Sequence, residues 1–132
     1  MTGETDAYVN AIASAVPGHD VHARFIDWAA GQIPDPRRRA LFERMAERSG
    51  IAHRWSVLGE TPEGGSPVDV GGFYGARWPS TEARMALYAE AAPQLAMTAI
   101  GRLGESCDPA GVTHLVVASC TGFVAPGIDQ II

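Results

Sequence analysis

Residues 113–132 read THLVVASCTGFVAPGIDQII, and the interpretation of this stretch decides the fold. Leu115, Val116, Val117 and Ala118 form a short unbroken apolar run. At this length such a run predicts a strand buried on both faces rather than an amphipathic helix. Ser119 and Cys120 end it, and Thr121 and Gly122 open a turn that Gly allows to bend sharply. Pro126, with its pre-set φ, is placed for the first position of a following helix. Strand, tight loop and helix together predict an α/β fold. In open α/β sheets ligands bind beyond the carboxyl ends of strands, so Cys120 is expected at such an end, facing the positive end of the next helix.

Working back from that stretch, residues 6–16 alternate, with Tyr8, Ile12 and Val16 on one side and Val9, Ala11, Ala13 and Ala15 on the other. This predicts a strand with small residues on one face. Pro17, Gly18 and His19 make a turn, and Asp20 is a natural N-cap for a helix with apolar face Val21, Phe25, Trp28 and Ala29. Asp35 as cap and Pro36 at the first helical position start a second helix through Leu41, Phe42 and Met45, which Gly50 ends. Arg37, Arg38 and Arg39 then fall in a first turn where the dipole disfavours cations, which points to a solvated face or an anionic partner. Residues 51–58 alternate as a half-buried strand, Ile51, His53, Trp55 and Val57 against Ala52, Arg54, Ser56 and Leu58.

From Gly59 to Ser80 the sequence turns irregular and rich in Gly and Pro, but Phe73, Tyr74 and Trp78 indicate a loop that packs down. Its GGFYG at 71–75 has neither the preceding strand nor the following Lys-Ser or Lys-Thr of a phosphate loop. Thr81 caps the longest helical stretch, with Met85, Tyr88, Ala92, Leu95, Ala99 and Leu103 on one face. Pro93 interrupts it, predicting a kinked helix or two abutting ones that end near Gly104 or Cys107.

At 132 residues and 46% hydrophobic content the chain has the size of one globular domain with one core. Its formal charge of −5 argues against nucleic acid as a partner. All ten basic residues are Arg, whose planar fork suits phosphate and carboxylate; codon bias in a GC-rich genome produces the same usage. Cys107 and Cys120 make no disulfide framework and fit no zinc or redox spacing, so a reducing cytoplasm is expected. The opening MTGETDAYVN has no secretory pattern and no apolar run approaches membrane length, which predicts a cytoplasmic protein without a membrane partner.

A thiol nucleophile usually needs a base, and the nearest His in sequence is His114. Six residues of strand span about 20 Å at 3.3 Å each, so His114 does not reach Cys120. His19 and His22 form HxxH without the Glu of HExxH, and no metal site is assigned to them. Asp20 and Asp27 have no evident catalytic partner in the sequence.

Cys120, Thr121 and Gly122, followed by Pro126, Gly127 and Asp129, resemble the segment of type III polyketide synthases, the chalcone and stilbene synthase family, that leads from a core strand into the active-site cavity. SGIAHRW at 49–55 and PSTEARMALYAEAAPQLA at 79–96 agree with that family in the same order. The resemblance implies the opening portion of a thiolase-type αβαβα layered fold, incomplete in this chain, with residues 1–132 forming the N-terminal part of the thiolase-like N-terminal domain. It implies an acyltransferase that loads a starter acyl-CoA onto a Cys and extends it with malonyl-CoA by decarboxylative Claisen condensation. The substrates are coenzyme A thioesters, no cofactor is covalently bound, and the complete enzyme is a homodimer. In the family the nucleophilic Cys stands in a later Gly-rich motif, with His and Asn from the second half, and none of these motifs occurs here. Cys120 and Thr121 therefore correspond to cavity-wall positions rather than catalytic ones, and the chain alone is expected to be inactive.

Ala125 stands where the plant enzymes carry a Met that reaches across the dimer interface, which implies a roomier cavity and a longer acyl chain. Arg54 falls on the Arg of the SGIxxR pattern, where basic residues meet the phosphates of coenzyme A. Two alternatives stand beside this reading: a non-catalytic α/β module or truncation that pairs with another chain, and a ketoacyl synthase III-type condensing enzyme, against which the TGFxxPGxD pattern speaks.

Overall fold

The computed structural model describes residues 6–61, 65–75 and 78–132. The first five residues of the N-terminal reading, and 62–64 and 76–77 of the Gly59 to Ser80 loop, lie outside the described residues. The chain divides into two compact units, one formed by Val16–Glu82 and the other by Met1–Ala15 with Ala83–Ile132.

In the unit of residues 16–82, strand β1 (His19–Asp20) precedes helix α1 (His22–Gly31), helix α2 (Pro36–Arg48) and strand β2 (Trp55–Ser56). β1 and β2 pair antiparallel, His19 opposite Ser56 and Asp20 opposite Trp55. The expected strand over 51–58 is thus regular only at its centre, although the period-two pattern persists: Arg54, Ser56 and Leu58 are half-buried while His53, Trp55 and Val57 are exposed. Asp20 lies on β1, one residue before the cap of α1, yet its carboxylate still accepts from the His22 N–H at 3.1 Å. Capping of α2 follows its sequence closely. The Asp35 carboxylate accepts from the backbone N–H groups of Arg37 and Arg38, Pro36 opens the helix, and Gly50 follows it with φ +69°. The first-turn arginines receive a partial explanation, because Arg39 donates from Nε and Nη2 to the Ile33 carbonyl at 3.1 and 2.8 Å.

The glycine-rich loop of this unit packs through its aromatics. Phe73 meets Tyr74, Tyr74 meets Trp78, and Trp78 meets Trp28 of α1, all edge-on at centroid distances of 5.2 to 6.2 Å. Gly72 and Gly75 are required by close approach: a Cβ on either would run into the backbone of Pro67 or Asp69. The GGFYG run is therefore a folding element of the loop.

In the other unit, helix α3 (Thr81–Gly104) is followed by a 3-10 turn (Pro109–Gly111) and helix α4 (Ile128–Ile131). Thr81 is the first helical residue and not the cap. Pro93 sits inside one continuous helix as its buried residue. Residues 6–16 form no strand, but alternate as predicted from 11 onward: Ala11, Ala13 and Ala15 are half-buried and Ile12, Ser14 and Val16 exposed. The Ser14 carbonyl accepts from Arg102 Nη1 of α3 at 2.7 Å.

Two expectations for residues 113–132 are corrected. The run Leu115 to Ala118 is irregular and exposed, with Val116 89% accessible. A doubly buried strand needs a neighbouring strand to complete its hydrogen bonds and packed layers over both faces, and among the described residues the ladder consists of β1 and β2 alone. The helix after the turn begins at Ile128, capped by Gly127, and not at Pro126. Ile128 is buried at 8% exposure, so its packing fixes the start of this four-residue helix. Cys120 accordingly does not stand at a helix N-terminus: seven residues lie between it and Ile128, and the effect of so short a dipole is confined to the terminal turn.

The fold class is therefore a small helix-rich mixed α/β arrangement with a two-stranded sheet. Its buried apolar residues among those described are Ala30, Pro67, Pro93 and Ile128, and no side chain there is fully buried. No described helix is long and apolar enough to cross a membrane.

Candidate functional site

Cys120 and Thr121 form the exposed apex of a turn. Its closing bond runs from the Gly122 N–H to Ser119 Oγ at 3.1 Å, and the next amide, Phe123, donates to the Met85 sulfur at 3.4 Å. Gly122 rests against the ring of Tyr88, where an added Cβ would overlap the ring atoms far inside van der Waals contact. Its backbone is not left-handed, so contact with Tyr88, rather than a special φ, demands glycine here. Met85 and Tyr88 both belong to the predicted apolar face of α3. Ala125 is exposed further along the same segment. Cys107 and Cys120 are free thiols, and His114 Nδ1 contacts Thr113 Oγ1 at 2.9 Å.

Arg54 belongs to the other unit and is half-buried. Its guanidinium lies 5.3 Å from the Phe25 ring centroid and contacts His22 Nδ1. Its backbone N–H donates to Asp20 Oδ1 at 3.1 Å, and its carbonyl accepts from the Val21 N–H at 2.9 Å. The guanidinium is thus held by its own unit rather than extended into solvent.

Asp20 is the centre of this arrangement, and sequence reasoning missed its partner. Its Oδ2 lies 2.6 Å from His53 Nδ1, while Oδ1 accepts from the backbone N–H groups of His22 and Arg54. These bonds, the one to His53 foremost, lower its carboxyl from 3.8 to about 2. His53 stacks on Trp55 at 5.5 Å. The two imidazoles of the HxxH pair diverge: His22 turns to Arg54, and His19 lies against Gly59. No group of three or more metal-binding side chains occurs among the described residues.

Beside this node lies a cleft of about 560 Å³, whose lining includes His19, Asp20, Arg24 and Glu60. It adjoins a smaller recess of about 130 Å³ walled by Phe25, Val68 and Tyr74. The two share Val21, Leu58, Ser66 and Pro67. Nothing in the local sequence announces either, because their walls come from two separated segments that the β1–β2 pairing helps bring together.

No model of a known protein family, no curated protein and no solved structure matches the chain.

Proposed function

We propose that this chain supplies part of an acyltransferase of the type III polyketide synthase kind, which condenses a starter acyl-CoA with malonyl-CoA by decarboxylative Claisen steps. The observation that carries the reading is the seating of the Cys120 turn on α3. Two stretches that resemble the family in sequence, 79–96 and 113–132, meet side by side, Gly122 on Tyr88 and the Phe123 amide on Met85. In this reading Cys120 and Thr121 form a stretch of cavity wall, held in place by Ser119, Met85 and Tyr88, and Ala125 leaves room for the acyl chain. Arg54 is the residue assigned to coenzyme A. Its engagement with His22 and Phe25 gives it a positioning part, ordering the segment around β2, as well as a charge. The nucleophile and its partners come from polypeptide other than these residues, and a Cys is suited to that role as both nucleophile and leaving group. The working enzyme is a homodimer, cytoplasmic, with a thiolase-type layered core.

A second reading is a non-catalytic module that pairs with another chain. The exposed apolar side chains of Tyr8, Ile12, Val116 and Phe123, each 78% accessible or more, favour it, since a second chain that covered them would take their apolar surface out of water.

The test uses the protein expressed from its native reading frame, incubated with malonyl-CoA and acyl-CoA starters of increasing length, with products read by mass spectrometry. Polyketide products are expected, and Ala125→Met should shift the accepted starters toward shorter chains. Absence of malonyl-CoA decarboxylation and of any condensed product would overturn the acyltransferase reading in favour of the module. A strict preference for short starters in the unaltered protein would sink the role given to Ala125.

A further inference from the structure

The cleft and recess in the unit of residues 16–82 carry an inference independent of the polyketide reading. The recess, about 130 Å³ and walled by Val21, Phe25, Leu58, Val68 and Tyr74, is close in size to an engineered apolar cavity of about 150 Å³ that stays dry and takes up benzene. It is matched to one phenyl or branched alkyl group. The cleft it adjoins, about 560 Å³, falls within the range of small-molecule sites.

The charges of the cleft define the rest of the ligand. Asp20 is already engaged by His53 and two backbone N–H groups. Arg24 and Glu60 remain, of opposite sign, and neither side chain has an ion-pair or hydrogen-bond partner among the described residues. A simple anion would find Arg24 but also face Glu60 and Asp20, and a simple cation would face Arg24. A zwitterion meets both signs with the matching charge. We propose that this cleft binds a small zwitterion bearing one apolar substituent, an apolar α-amino acid being the simplest member of the class. Its carboxylate lies toward Arg24, its ammonium toward Glu60, and its side chain in the recess.

The experiment is a titration of the full chain followed by heteronuclear NMR, with L-phenylalanine as the probe and phenylacetate, phenethylamine and glycine as comparisons. L-Phenylalanine should give saturable shifts at Val68 and Tyr74 and bind at least about tenfold more tightly than each comparison, the effect of one charge-assisted contact or of the buried ring. Arg24→Gln should weaken L-phenylalanine at least about tenfold and, by removing the charge that a simple cation faces, should leave phenethylamine bound no more weakly than before. Glu60→Gln should do the same to L-phenylalanine and leave phenylacetate bound no more weakly than before. Filling the recess by Val68→Phe should abolish binding while the His22 amide resonance, which reports the Asp20 bond, stays in place. Equal affinity for the three aromatic compounds, binding of glycine as tight as that of L-phenylalanine, or no saturable shift at all would overturn the proposal.

Discussion

Gly122→Ala should be the most damaging single-methyl change in the chain's C-terminal segment, and its cost can be worked from the contact it violates. A Cβ at this position overlaps the atoms of the Tyr88 ring, far inside van der Waals contact. Carbon atoms settle at about 3.5–4.0 Å, so the ring has to retreat by more than about 1 Å. If the ring stays and the turn strains, the cost is that of overpacking, about 1–3 kcal/mol. If the half-buried ring swings into water instead, it gives up about 100 Å² of cover, worth about 2.5 kcal/mol as an upper figure. Both routes converge on about 2 kcal/mol. With a urea slope of about 1–3 kcal/mol per molar, the midpoint should fall by about 1 M. Tyr88→Ala has its own cost, but adding Gly122→Ala to it should cost little further, a coupling of about 1–2 kcal/mol in the double-mutant cycle. Additive effects in that cycle, or a Gly122→Ala midpoint within about 0.3 M of the parent, would refute the close-packing argument and with it the seating of the Cys120 turn.

Three further outcomes follow from the same physics. Asp20 has its folded pKa depressed to about 2, so its bonds to His53, His22 and Arg54 contribute at pH values above the unfolded value of about 3.9 and are lost as pH falls through about 2. The Arg54 amide shift should therefore hold to pH 4 and move below it, and Asp20→Asn should flatten that response; a midpoint near 4 in the unaltered protein would contradict the pairing. Gly50→Ala forces a side chain into φ +69° with no steric contact to blame, and should cost about 1–2 kcal/mol, whereas Gly101→Ala, in the last turn of α3 and in open space, should stabilise by up to about 0.5–1 kcal/mol; thermal unfolding of the two variants should shift in opposite directions. Asp35→Ala leaves the Arg37 and Arg38 N–H groups without their acceptor and should lower stability by about 1 kcal/mol, read as loss of helical circular dichroism at a lower urea concentration.

What was legible in the sequence is what is decided locally. The cap of α2 rests on Asp35 and Pro36, its end on Gly50, and the extent of α3 on spacing along one face; each involves residues within a turn or two of one another. Even the tilt of residues 11–15, small residues inward, was visible as alternation. Strands were not legible to the same degree, because a strand exists only with its partner. The runs at 6–16 and 115–118 have strand composition but no neighbour among the described residues, while the ladder that does form joins His19–Asp20 to Trp55–Ser56 across more than thirty residues. The Asp20–His53 pair is a product of that register, and so was invisible until the register was known. Arg24 and Glu60 were missed for the same reason.

The geometry around Cys120 also separates two roles for a thiol. A nucleophile depends on its pKa and on a base within reach, so any replacement of its sulfur removes its function. A wall residue depends on where the backbone is held and on the volume it presents. Here the holding is done by neighbours, Ser119 closing the turn, Met85 receiving the Phe123 amide and Tyr88 packed on Gly122. The thiol itself stands exposed. For residue 120 acting as wall, Cys120→Thr conserves size and leaves the turn unchanged, whereas Gly122→Ala keeps the thiol and displaces it. The residue of the tripeptide on which the site's shape depends most is then the glycine, which carries no chemistry of its own.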